Sequence, residues 1–386
     1  MNGESSKQRI KGFDALRVFM ICCVVALHAA MTYMAYVPGW WYVIDGRQSF
    51  SFTLVVIFLD TFPMSVLFFL AGYFSPPSLA KRGYRAFIRG KITRLGIPWV
   101  FGVVFIAPVF AWASLNSLGY HNLSCHEIIK GFFSGTYYQQ AHFWFLGVLL
   151  FFTVLYTIWK KLMSGRGTVQ EVCLSEQSRA KTPYLPLCIV FILGLFSFVL
   201  STLYIMPSDQ WISVKQILYF QPSRIVGYGA LFFLGVYGQG RGWFLPEGWM
   251  PNVSIWGTLT VASLMTYLAY SVAPSLMVLK SDHAMVAALG SGILYNLSTF
   301  ATTIFLTAFS VKQGKKFAGV FLSLASSTYG IYWLHQMILL PLLSLFRFIP
   351  LPTFFLWLAS ILLTLGICHY LTMNILRKIS FTKNIF

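Results

Sequence analysis

Apolar runs of about 20 residues, the length that crosses a bilayer core as a helix, alternate with short polar stretches along the whole chain. The pattern predicts ten spans: 14–36, 50–74, 94–118, 142–160, 184–206, 216–238, 252–272, 284–311, 319–346 and 353–376. The second, eighth and ninth are long, which predicts tilt, kinks or extension beyond the bilayer. The ten-residue alternation of barrel strands is absent, and glycine and proline recur throughout. The fold class is therefore an all-α integral membrane protein. No internal repeat of the transporter kind stands out. The reading is one membrane domain over 1–386, with 1–13 and 377–386 as cytoplasmic tails and 75–93 as a basic cytoplasmic loop.

Composition agrees with this pattern. The chain is 57% hydrophobic and 10% charged, with a mean hydropathy of +0.71; soluble domains carry about 25% charged residues. The formal charge of +18 could suggest a nucleic-acid partner, but its distribution points to topology instead. With both termini in the cytoplasm, 21 of the 28 basic residues fall on that side and 5 (Arg47, Lys130, Lys215, Lys280 and Arg347) on the other. This is the positive-inside asymmetry. The six cysteines show no metal-ligand spacing. The basic N-terminus followed by an apolar run could be a signal peptide, but a run holding a histidine and lacking a small-x-small site reads better as an uncleaved first span.

Polar side chains inside spans are the next signal, because each costs energy to insert and defaults to a functional hypothesis. His28, Asp60, Arg224, Asn296 and His335 lie 14 to 16 residues from the cytoplasmic ends of their spans. At 1.5 Å per residue they share one layer about 21–24 Å above the inner surface. Five spans contributing to one layer suggest a shared polar cavity. A structural role competes for each: a core histidine on a backbone carbonyl, or Asp60 and Arg224 as a stabilising pair. Asp14 and Arg17 sit instead at the cytoplasmic mouth of the first span, three residues apart on one helix face. Arg17 precedes His28 by eleven residues, about 16 Å along a helix. The two would touch opposite ends of something long and thin, unless Arg17 simply snorkels.

The R-x10-H spacing of Arg17 and His28 resembles the signature of the acyltransferase family 3 membrane proteins. VLFFLAGYF (66–74) is similar to that family's FF-x-x-SGYF block, with Ala71 for the usual Ser. FIRGKITRLGIPW (87–99) resembles its cytoplasmic R-x-x-R-x-x-x-P segment, with Lys91 and Arg94 in the basic places and Pro98 following. HFWFLGVLLFF (142–152) and STYGIYWLH (327–335) resemble two further blocks. The resemblance implies transfer of an acyl group, acetyl or succinyl, from cytoplasmic acyl-CoA to a hydroxyl of an extracytoplasmic glycan. It implies a multi-pass protein of the bacterial inner membrane, with membrane lipid, acyl-CoA and glycan as partners and no resident cofactor. Within the family it looks most like the branch that succinylates periplasmic glucans.

Each residue then has an expected role. A hydroxyl acceptor needs a positioned base, and His28 is the candidate. Asp60, chosen by depth alone, would orient its ring as a triad carboxylate does; His335 could take that place or hold the acceptor. Lys91, Arg94 and Arg17 would hold the donor's phosphates, with Asp14 supporting Arg17. Lys91 and Arg94 could equally only fix topology and touch anionic lipid. Arg224 and Asn296 are placed near the substrate or its oxyanion, with Arg224 also able to neutralise an acidic acyl group. The aromatic stretches 40–50 and 135–144 fit sugar stacking and fit an interfacial belt slightly better. The competing function is a transporter or flippase with His28, Asp60 and His335 as a proton relay.

Overall fold

The computed structural model describes residues 11–36, 38–164, 183–204, 210–246, 248–273 and 284–386. Most of the N-terminal tail, with Lys7 and Arg9, lies outside them. So do Arg166, Cys173, Arg179, Lys181 and Lys280.

The described chain is almost entirely helical. Helix α1 covers Lys11–Met31, α2 Phe50–Asp60 and α3 Pro63–Lys91. A π-helical turn (Ile92–Gly96), α4 (Ile97–Phe101), a second π turn (Gly102–Ile106) and α5 (Ala107–Ser117) follow without a gap. Then come α6 (Cys125–Ser134), α7 (Trp144–Ser164) and α8 (Tyr184–Tyr204). A two-stranded antiparallel hairpin, β1 (Ile212–Val214) and β2 (Leu218–Phe220), precedes α9 (Pro222–Gly240). The chain continues through α10 (Val253–Val272), α11 (Ala284–Lys312) and α12 (Gly314–Ala325) to α13 (Thr328–Phe346) and α14 (Thr353–Leu371).

Eight helical stretches among the described residues are long and apolar enough to cross a membrane. One of them, Phe50–Ser117, is 68 residues long. It contains two of the expected spans and departs from helical geometry at Gly83, where φ is 73°. The expected sixth span is α9, which starts at Pro222 rather than 216. Residues 216–220 belong to the hairpin instead, whose loop is bent by positive φ at Lys215 and Gln216. The first span stops at Met31. Beyond it the backbone pairs with its own loop, Thr32 accepting from the Asp45 amide (3.1 Å) and Tyr33 from the Ser49 amide (2.8 Å). The second span breaks after Asp60, before Pro63, which has no N–H to continue the ladder.

Helix α1 runs through the middle of the bundle, touching α2, α3, α11, α12, α13 and α14. It is apolar on nearly every side, and Phe13, Leu16, Met20, Val25 and Ala29 are fully buried. A helix apolar all round belongs in a core, so the first span is the axis on which a site can be built. Helices α3 and α9 cross at backbone contact through Gly72 and Gly235. A Cβ on Gly72 would lie 1.9 Å from the Phe232 carbonyl oxygen, and one on Gly235 would lie 2.2 Å from that of Phe69. Small residues let membrane helices approach this closely, which explains the glycine of the AGYF block.

Candidate active site

His28 lies in the last turn of α1, on the wall of a cavity of about 330 Å³. Asp60, Arg224 and His142 line the same cavity, with Trp40, Trp144 and Trp211 among its aromatic residues. His335 sits directly behind His28 and is fully buried.

A hydrogen-bond chain sets the chemistry of His28. Nδ1 of His335 lies 2.6 Å from the Tyr332 carbonyl oxygen. A carbonyl only accepts, so this nitrogen carries the proton. In a neutral ring, Nε2 of His335 is then an acceptor. It lies 2.9 Å from Nδ1 of His28, so that nitrogen donates. The network assigns the tautomer and leaves His28 Nε2 unprotonated, with the Gln336 amide nitrogen 3.5 Å from it. Trp41, fully buried, stacks on the His28 ring at 5.5 Å and 22°. The His335 ring is nearly parallel to it at 8°.

The expected Asp60–His28 pairing is not what the structure shows. Asp60 Oδ2 accepts from Arg224 at 2.6 Å, and His335 takes the place beside His28. Depth placed Asp60 in the right layer. The break after α2 and the start of α9 at Pro222 then decide which neighbour it meets. The Arg224 guanidinium also lies 5.0 Å from the Tyr295 ring, so its charge is already matched. Asn296 is outside the cavity: its amide donates to the Gly292 carbonyl of its own helix (2.8 Å) and packs against Gly194. It lines only a void of about 20 Å³ on the far side of Arg224.

Two residues escaped the depth argument. His142 and Gln336 are both buried and lie 2.9 Å apart through Nδ1 and Oε1. His142 Nε2 faces the Trp333 carbonyl at 3.1 Å, and the His142 ring meets that of His335 edge-on at 4.6 Å. His142 opens the HFWFL block, at the very end of its span and so outside the layer. The blocks themselves held the signal. Every polar atom that STYGIYWLH contributes around this point has a partner: the Tyr332 hydroxyl donates to the His142 carbonyl, Trp333 Nε1 to the Pro98 carbonyl (3.2 Å), and the Tyr329 hydroxyl to the Arg94 carbonyl. The last bond has a local cause. Pro98 lacks the N–H that would bond the carbonyl four residues earlier, which is that of Arg94, and the freed acceptor is taken by α13.

The N-terminal end of α1 is built differently. Arg17 pairs with Asp14 at 3.4 Å and lies 5.5 Å from the Phe74 ring. The Lys91 ammonium rests 5.3 Å from the Phe87 ring. Arg17, Arg82 and Arg94 all lie close enough to Lys91 to act on its charge. α1 is unbroken between Arg17 and His28, so their separation is the expected 16 Å or so. None of these cations lines the His28 cavity. Its deepest residue on α1 is Val24, about 10 Å above Arg17.

The loop after α1 is clamped to the end of α13. Arg47 holds the Asp45 carboxylate through Nε (3.0 Å) and NH2 (2.7 Å). Its remaining donors reach the carbonyls of Phe346, Ile349 and Leu351 just past α13. Burial alone would raise the Asp45 carboxyl, but these bonds and the guanidinium charge outweigh it and hold the group below the usual carboxylate range.

Comparison with known proteins places the chain. A family model described as an acyltransferase domain matches residues 10–373. Proteins named glucans biosynthesis protein C from Escherichia coli K12 and from the O1:K1 and O9:H4 strains are each 24% identical to it over 247 residues. Each match covers 58% of this chain and 59% of the relative's length. No solved structure matches it significantly. With the family model spanning nearly the whole sequence, the chain belongs to the acyltransferase 3 family of multi-pass membrane enzymes.

Proposed function

We propose that the enzyme moves a short acyl group, acetyl or succinyl, from cytoplasmic acyl-CoA to a glycan hydroxyl at the outer face of a bacterial inner membrane. Both termini would then lie in the cytoplasm. The observation that carries this reading is the chain Tyr332 carbonyl, His335, His28, which leaves Nε2 unprotonated on a ring that lines the cavity. His28 Nε2 takes the acceptor's hydroxyl proton as that oxygen attacks the thioester carbonyl. The C–S bond breaks, the new C–O bond forms, and the proton returns from His28 to the departing thiolate. His335 keeps its acceptor nitrogen on His28 Nδ1 throughout and so steadies the imidazolium. Arg224 lies in the same wall, already paired with Asp60. Because Asp60 already shares Arg224, an acidic acyl group would have to compete for that cation, which supports acetyl.

The phosphates of the donor would rest on Arg17, Lys91 and Arg94, with Asp14 holding Arg17. The likeness to glucans biosynthesis protein C supports a glucan acceptor. A proton relay through His28, Asp60 and His335 is less well supported, because Asp60 bonds Arg224 and not the histidines. The test is transfer from acetyl-CoA and from succinyl-CoA to a glucan by purified protein in lipid. His28→Ala that still transfers at the wild-type rate would sink the base assignment.

A further inference from the structure

Aromatic residues of both stretches, 40–50 and 135–144, turn onto the His28 cavity. Trp40, Trp144 and Trp211 all line the cavity that holds His28, and Tyr36 and Tyr228 line it with them. They come from separate elements: the loop after α1, the start of α7, the residue before β1, and α9. Trp211 is edge-on to Trp144 at 5.2 Å and to Trp40 at 6.4 Å. Tyr219 of β2 backs it, stacked at 5.2 Å and 12°. The hairpin is fastened in place: the Tyr138 hydroxyl donates to the Gln216 carbonyl (2.5 Å) and the Gln140 amide to that of Ile217 (2.9 Å). A short exposed hairpin has no reason to be held this way for folding alone.

The polar edge of the cavity complements these faces. Asp60 bonds Arg224 through one carboxylate oxygen, yet its side chain remains 43% exposed. An ionised carboxylate has about four acceptor sites, so capacity is left toward the cavity. The Asp60–Arg224 pair is neutral as a unit, so the cavity does not select for net charge. Flat aromatic faces beside hydroxyl acceptors, with no excess charge, fit a neutral polyol ring with two apolar C–H faces and a polar rim. A volume of about 330 Å³ is at the small end of ligand pockets.

We infer that this mouth is a pyranose subsite: Trp40 and Trp211, which meet edge-on, form an aromatic corner against which one face of a neutral sugar ring of the acceptor packs, and Asp60 accepts its hydroxyls. This deepens the acyltransferase reading and rests on it for the role of His28. It assigns acceptor recognition to Trp40, Trp211 and Asp60, and it predicts that a hexose ring rather than a lipid hydroxyl is bound there.

The test uses full-length protein in lipid nanodiscs and isothermal titration with a linear glucohexaose, with acyl-CoA titrated separately. Glucohexaose should bind the wild type, and Trp211→Ala and Trp40→Ala should each weaken it about tenfold or more, as loss of a central Trp anchor does. Trp211→Phe, which keeps an aromatic face and guards against misfolding, should recover most of the affinity. Acyl-CoA affinity should stay within twofold in all three. No glucohexaose binding by wild type, or binding unchanged in both alanine variants, overturns the subsite. Transfer to a lipid hydroxyl with no effect of glucohexaose as competitor overturns it as well. Tryptophan-dependent glucohexaose binding by a protein that neither binds acyl-CoA nor transfers an acyl group would sustain the subsite and sink the enzyme mechanism instead.

Discussion

The two ends of α1 carry polar groups held by different kinds of force. Around His28 the groups are buried and fixed by short directional bonds to His335 and, through it, to a backbone carbonyl. Around Arg17, the Arg17 and Lys91 cations rest on aromatic faces, and an ion pair of Arg17 with Asp14 is among their contacts. Directional bonds hold a reacting atom to a fraction of an ångström, which chemistry needs. Cations on rings can move toward a phosphate without breaking anything costly. Under the proposed mechanism the His28 end would hold the reacting atoms and the Arg17 end the donor.

The sharpest attack on that contrast is His28→Ala. It should lower acyl transfer by roughly 10²–10⁴, the range of a lost general base, with acyl-CoA affinity unchanged by equilibrium binding. A large loss of donor affinity would erase the distinction between the ends. His335→Phe should follow at about 10²-fold in kcat with little change in KM, because it removes the acceptor that holds His28 Nδ1. If the KM rose instead, His335 would belong to substrate binding. At the other end, Arg94→Ala should weaken acyl-CoA binding about tenfold, the worth of one charge-assisted contact. The loss should shrink as salt rises, and kcat at saturating donor should hold.

The smallest expected effect concerns the clamp on the loop after α1. The Asp45 carboxyl is held below its unfolded value, near 3.9, so its contribution to stability is present above that value and is lost as pH falls through the lower folded one. Thermal unfolding should therefore move down by a few degrees below about pH 4. In Asp45→Asn that part of the pH dependence should be missing.

Much of this was legible in the chain. The apolar runs marked the spans, and of the residues grouped by depth His28, Asp60 and Arg224 line one cavity, with His335 behind it. Depth carries no azimuth, however. It could not say that Asp60 faces Arg224, that Asn296 turns onto its own helix, or that His335 lies behind His28. His142 was hidden for the opposite reason: it sits at a span end, where a polar residue costs little and raises no alarm. Residues 216–220 of the hairpin fall in the expected sixth span because β2 is apolar and the loop, Lys215–Gln216, uses neither Gly nor Asn for positive φ. Helix α6 was passed over although S-C-H-E at 124–127 is a readable capping box, with both of its hydrogen bonds formed. The aromatic stretches looked the same whether they faced lipid or a cavity, and only tertiary structure separates the two.

Pro98 repays a last look. An α-helix ordinarily spends its carbonyls on itself and offers its neighbours nothing but side chains. By omitting one hydrogen atom, Pro98 leaves a bare backbone acceptor at Arg94, and a tyrosine from a helix more than 200 residues away occupies it. The vacancy becomes an adhesive, set where few side chains could donate without carrying charge. Any residue with an N–H at position 98 would reclaim that carbonyl for its own helix and loosen the seam.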